Sequence, residues 1–156
     1  MYLRPLSQER LQDIAAFSNA IVLPFRLFDN SDRQIAGSIS SLLRNRIVDI
    51  YSVYSDGELK GFAFSYDYRV YDCHMKLSVC AKGINDEEWH SVACDLMERM
   101  TARYPVNKYF VETVSDNDIK NWANLGFKVE AVLKEHRYFN GKYLDLYVLG
   151  KHEGQK

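Results

Sequence analysis

No stretch of the 156 residues approaches the roughly 20 consecutive apolar residues that a membrane-spanning helix needs, and residues 1–6 lack a basic segment followed by an apolar run. Neither a membrane span nor a secretion signal is expected. Cysteine is scarce: Cys73, Cys80 and Cys94 form an odd set without C-x-x-C spacing, so no disulfide framework, zinc site or other metal site is indicated. A reducing compartment, the cytoplasm, fits that usage. An excess of one charge is also missing. With 20 Lys and Arg against 21 Asp and Glu, the formal net charge of -1 gives no global pull toward nucleic acid or anionic lipid. Internal repeats, low-complexity tracts and Pro/Gly/Ser linkers are absent too, so residues 1–156 read as one domain.

What is present is the balance of an ordinary globular protein, 47% hydrophobic and 26% charged, in a chain long enough to bury a core without staples. Aromatics reach 13%, and many fall in alternating runs that suit a sheet face or line a ligand pocket.

Periodicity places a strand over residues 2–6. Ser7 can then cap a helix carrying Leu11, Ile14, Ala15 and Ser18. Pro24 interrupts it, and a second helix is expected over 31–46 with Ile35, Ile39, Leu42 and Leu43 on one face. The apolar segment between them, with Phe25 and Phe28, is a candidate pocket wall that would touch substrate. β-Formers over 50–54 and 59–68 flank Asp56-Gly57, a dipeptide suited to a tight hairpin turn. Alternation then puts Phe62, Phe64, Tyr66 and Tyr68 on one face, with Asp67 and Arg69 on the other. A further strand spans 73–81.

Asn85 and Glu88 have capping-box spacing, and the following helix buries Trp89, Val92, Ala93, Leu96 and Met100 before Pro105 ends it. A strand over 109–114, a short helix ending at Gly126, and a hairpin of 127–138 with 143–149 across Asn140-Gly141 complete the order βααβββαβαββ. The expected fold class is α/β.

That order, with the closing run WANLGFKVEAVLKEHRYFNGKYLDLYVLGK, resembles the GNAT N-acetyltransferases, in particular the branch acting on ribosomal proteins, other peptides and small amines. Asn117, Leu125-Gly126-Phe127, Glu130, Gly141 and Asp145 are similar to the family pattern N…LGF…E…G…D. The resemblance implies an acyl-CoA N-acyltransferase-like fold, a mixed, mostly antiparallel sheet with helices on both faces, in which the fourth and fifth strands run parallel and splay to admit the pantetheine arm of acetyl-CoA. It implies a cofactor-binding set of Leu77, Val79, Ala81, Lys82, Gly83, Ile84, Asn85, Asn117 and Trp122. It further implies acetyl transfer to a primary amine of a peptide, protein or small molecule, with Tyr66 and Tyr138 beside Phe25 and Phe28 at the acceptor. Such transfer needs proximity, a neutral amine and an oxyanion donor, and no nucleophilic residue.

Three positions depart from the family. The phosphate loop Q/R-x-x-G-x-G/A is replaced by Ala81-Lys82-Gly83-Ile84-Asn85-Asp86, and Asp86, Glu87 and Glu88 bring carboxylates to a helix start that would otherwise attract diphosphate. These three can equally be caps of a solvated helix. Where some relatives carry a glutamate base, Lys76 stands, leaving Glu112 and His74 as catalytic candidates; an ion pair of Glu112 with Lys76 or Lys108 is the competing reading. Trp122 takes the place of a tyrosine acid, and an indole cannot release its proton at neutral pH. A tryptophan there also suits the core. The alternative function is therefore a catalytically silent module of this fold that binds a CoA-like ligand or a protein partner. Apolar edge strands near the C-terminus could pair two subunits as a homodimer.

Overall fold

The computed structural model describes residues 1–5, 47–139 and 141–154. The two helices expected over 7–18 and 31–46, the apolar wall with Phe25 and Phe28, and Asn140 lie outside the described residues. The elements are β1 (Tyr2–Pro5), β2 (Ile47–Ser55), β3 (Glu58–Arg69), β4 (His74–Ala81), α1 (Asp86–Arg103), β5 (Lys108–Thr113), α2 (Asp116–Asn124), β6 (Lys128–Phe139) and β7 (Lys142–His152). The strands form one seven-stranded sheet in the order β1-β2-β3-β4-β5-β7-β6. Every neighbouring pair is antiparallel except β4 and β5, which are parallel. A parallel pair cannot close through a tight turn, and α1 supplies the crossover.

Local chemistry accounts for most boundaries. Asp56 and Gly57 take φ of 52° and 77°, the left-handed values that turn β2 into β3. Asn85 caps α1 by accepting from the Glu88 amide, while the Glu88 carboxylate accepts from the Asn85 amide, so both donors are satisfied reciprocally. The helix ends at Tyr104, whose extended backbone is what a residue before proline prefers.

The core lies between the sheet and the two described helices. From α1 it takes Trp89, Val92, Ala93, Leu96 and Met100; from the sheet Met75, Leu77, Val79, Tyr109, Val111 and Leu149. Each of these side chains larger than alanine stabilises the fold by about 1.5–3 kcal/mol relative to exposure. The opposite sheet face buries Phe62, Phe64 and Tyr66 as well. Tyr68 does not join them, contrary to simple alternation. Asp67 takes φ 49° at a register break between Tyr66 and Arg69. The extra residue re-aims the strand, and Tyr68 packs on the Tyr104 ring at 5.6 Å and donates to the Pro105 carbonyl at 2.9 Å. Among the described residues, no helix is long and apolar enough to cross a membrane.

Candidate active site

The parallel pairing of β4 and β5 covers three rungs, His74 with Lys108, Met75 with Tyr109, and Lys76 with Phe110, and then stops. Both strands continue, held from outside. β4 stays paired to β3 as far as Ala81 opposite Gly61, and β5 stays paired to β7 as far as Thr113 opposite Tyr147. Two strands anchored on their outer edges while their inner edges part leave a wedge whose backbone groups have no ladder partner across it.

A cavity of about 280 Å3 opens at the divergent ends. Of the residues assigned to the cofactor from sequence, Val79, Ala81, Lys82, Ile84, Asn85 and Asn117 line it. Leu77 is instead fully buried in the core. Gly83, with φ 66°, shapes the turn after β4 without lining the cavity. Trp122 is 1% exposed, with Trp89 and Phe127 ring centroids at 4.8 and 4.9 Å, so it is a packing residue and not part of the lining.

The same cavity is lined by Cys80 of β4 and by two residues that sequence reasoning passed over, Asp118 and Asn121. Burial pushes the Cys80 thiol up to about 12, so it stays protonated and inert. Asp118 accepts from the Thr113 hydroxyl at 3.0 Å; burial raises its carboxyl above the ordinary range, and that hydrogen bond offsets part of the rise. Asn121 is 2% exposed, and its Oδ1 is buried without a hydrogen-bond partner among the described residues. Asp118 and Asn121 stand three apart on α2, the helical spacing that puts side chains on one face. That spacing was the available signal.

At the mouth of the wedge the start of α1 is already occupied by its own anion. Glu88 Oε2 accepts from the Asn85 amide at 2.8 Å and Oε1 from the Ser55 hydroxyl at 2.9 Å. The Asn85 amide hydrogen bond, followed by that from Ser55, holds the Glu88 carboxyl below its usual range. It is therefore a fixed negative charge at neutral pH, with Asp86 and Glu87 beside it in the first turn.

A second cavity, about 300 Å3, lies over the paired rungs and is lined by Asp67, Arg69, Asp72, His74, Lys76 and Phe110, among others. The His74 ring meets the Phe110 ring edge-on at 5.3 Å. Lys76 Nζ lies 3.2 Å from Asp67 and 2.8 Å from Glu112, whose other oxygen is 3.6 Å from Arg137. Lys108 pairs instead with Glu130 at 2.7 Å. The structure thus sets Glu112 against Lys76 at the last paired rung, while His74 stands at the first rung, against Phe110. Tyr66, opposite Lys76, is fully buried, while Tyr138 is half exposed against Tyr143 at 5.3 Å.

No family model matches the chain, and no curated protein matches it. Solved structures do resemble it. A mutant spermidine/spermine N-acetyltransferase from Vibrio cholerae superposes with a TM-score of 0.82 at 14% identity, covering 97% of this chain and 93% of that one. A ribosomal-protein-alanine N-acetyltransferase from Brucella melitensis gives 0.77 at 17% identity over 97% and 99% of the two chains. An N-acetyltransferase from Staphylococcus aureus Mu50 gives 0.75 at 16%, covering 97% of each. The protein therefore has the acyl-CoA N-acyltransferase-like fold, with a mixed sheet opened between its two parallel strands.

Proposed function

We propose that the protein is an acyl-CoA-dependent N-acyltransferase that moves acetyl from acetyl-CoA to a primary amine of a peptide, protein or small molecule. The observation that carries this reading is the end of β4–β5 pairing after Lys76 and Phe110, with a cavity where the strands part. A slender thioester arm fits such a wedge and can use the backbone groups left open on its edges. The amine would approach from the opposite mouth, over the cavity holding His74, Lys76 and Phe110. Attack on the thioester carbonyl forms the C–N bond and breaks C–S; the ammonium proton leaves to a base and the thiolate takes up a proton. Glu112, which pairs with Lys76 at the last paired rung, is the base this reading favours, with His74 in the lining of the same cavity as Lys76 as the second candidate.

The test is a melting experiment with acetyl-CoA followed by thiol release with a panel of amines. Saturating acetyl-CoA should raise the melting temperature by mass action, and at least one amine should liberate thiol. Unchanged melting would remove the proposal. A second reading, a silent module that binds a CoA-like ligand, is favoured by Trp122 being locked in the core and by Glu112 being ion-paired. Binding without thiol release from any amine would select it.

A further inference from the structure

One lysine of the chain stands where an acceptor amine would have to be. Lys76 is the last residue of β4 that pairs with β5, opposite Phe110. Glu112 lies two residues farther along β5, about 6.6 Å at the usual strand rise, yet its Oε1 is 2.8 Å from Lys76 Nζ. The two side chains therefore meet over the point where the ladder ends. From β3, Asp67 Oδ2 holds the same ammonium at 3.2 Å, and the Tyr66 ring centroid is 5.8 Å away. Carboxylates on two strands thus fix Nζ in place, while the side chain keeps 28% exposure and lines the cavity of about 300 Å3.

An arm entering the wedge from the divergent ends, past Ile84 and Asn85, carries its acyl group at its inner tip and can go no farther than the rung where β4 and β5 close. Its thioester carbonyl comes to rest beside the Lys76–Glu112 pair. Lysine supplies a primary amine there, and Glu112 supplies a proton acceptor already within hydrogen-bond range. Holding both groups against the carbonyl makes acyl transfer an intramolecular step, the condition under which proximity counts most. Lys82, by contrast, lines the outer cavity at the end where the arm enters.

We infer that Lys76 is a self-acylation site: with no competing amine present, the chain transfers acetyl from a bound acetyl thioester to its own Lys76 Nζ. This rests on the acyl-thioester reading above. The ammonium gives one proton to Glu112 and becomes the attacking amine. The C–N bond forms as C–S breaks, and the departing thiolate takes up, through solvent, the second proton lost from the new amide nitrogen. The products are a neutral acetamide, a protonated Glu112 and a free thiol. Acetyl-Lys76 has no charge to hold Asp67 or Glu112, and its bulk is added to the lining of the cavity that an amine would enter. The modification therefore obstructs the acceptor side.

The full chain incubated with acetyl-CoA and no amine tests this, with acetyl incorporation followed by intact mass, peptide mapping and thiol release. One acetyl per chain should appear at Lys76 with one equivalent of thiol, at least about tenfold faster than at Lys82 or at Lys134, whose side chain is 77% exposed. The half-time should stay constant over about a tenfold dilution of the protein, because the step lies within one chain. Lys76→Arg keeps a cation between Asp67 and Glu112 that cannot be acylated at neutral pH, so the label and the amine-free thiol should both be lost. The label mapped in the unsubstituted protein decides the site even where that variant fails to fold. Melting raised by acetyl-CoA with Lys76 unmodified overturns the inference and leaves the acyltransferase reading standing. So do Lys82 or Lys134 labelled as fast as Lys76, the same label in Lys76→Arg, or a half-time that shortens as protein concentration rises. Melting that acetyl-CoA leaves unchanged removes both.

Discussion

Lys76 Nζ lies 2.8 Å from Glu112 Oε1, and the two side chains belong to the strands that separate immediately beyond the Lys76–Phe110 rung. The ion pair holds a carboxylate at the fork, on the Lys76 side chain that lines the cavity the acceptor would enter. If Glu112 takes the ammonium proton, Glu112→Gln should lower the acetylation rate at neutral pH by about a hundredfold or more and leave acetyl-CoA affinity unchanged. Rates and affinity measured on one preparation separate this from a structural role. A purely structural Glu112 would shift melting and leave the rate alone.

Asp118 and Glu88 titrate in opposite senses. Burial raises native Asp118 above its free value of 3.8, so the native state binds more protons than the unfolded chain as pH rises from there. Its contribution is full below that pH and is lost on the way up through the native pKa. Asp118→Asn should therefore gain in melting temperature relative to the unsubstituted protein as pH is raised from about 4 to 7. Glu88 is lowered from 4.5, chiefly by the Asn85 amide, so its contribution is present above that value and disappears as pH falls through the native pKa. The gap between Glu88→Gln and the unsubstituted protein should narrow as pH falls below 4.5 and close once it passes the lowered native pKa. Differences independent of pH for both variants would contradict these assignments.

Gly61 faces the inner wall of the wedge from behind. A Cβ there would sit 1.9 Å from the Cys80 carbonyl oxygen and 2.6 Å from the Ala81 Cα, both backbone atoms, and Gly61 pairs directly with Ala81. Neither atom can move without shifting the end of β4. Gly61→Ala should cost about 3 kcal/mol or more, a fall in melting temperature of roughly 6–12 °C for a domain of this size. Thermal unfolding followed by circular dichroism reads it. Gly57→Ala is the comparison: its added Cβ meets nothing within 4 Å, and the cost should be limited to the positive φ of 77°.

How much of this was legible in the sequence follows the range of the interaction. Asp56-Gly57, the Asn85–Glu88 box and the buried stripe of α1 are local patterns, and each stands where periodicity and capping rules put it. The parallel pairing of β4 with β5 was legible only through resemblance, because which strands neighbour one another across a crossover is a non-local choice. Tyr68 was misplaced since the bulge at Asp67 is stabilised by contacts far along the chain, the Tyr104 ring and Pro105 carbonyl on one side and Lys76 on the other. Asn121 and Asp118 escaped notice for a related reason. A short polar helix shows which residues share a face, but only the divergence of β4 and β5 determines that this face borders a cavity.

Trp122 offers a test of whether the core or the wedge owns the position. Its ring is wedged edge-on against Trp89 and Phe127, joining α2, the start of α1 and the entry to β6. Truncation to alanine leaves a cavity that three surrounding elements cannot jointly collapse into, and Trp122→Ala should cost about 3–5 kcal/mol. Trp122→Tyr is the sharper variant. A phenol placed here would lie in the aromatic cluster, 1% exposed as the indole is, and outside the lining of the wedge. It should therefore lower stability by about 1–2 kcal/mol, through the smaller ring and a hydroxyl seeking a partner, without raising the rate of thiol release. A tenfold gain in turnover with Trp122→Tyr would instead place this side chain against the departing sulfur.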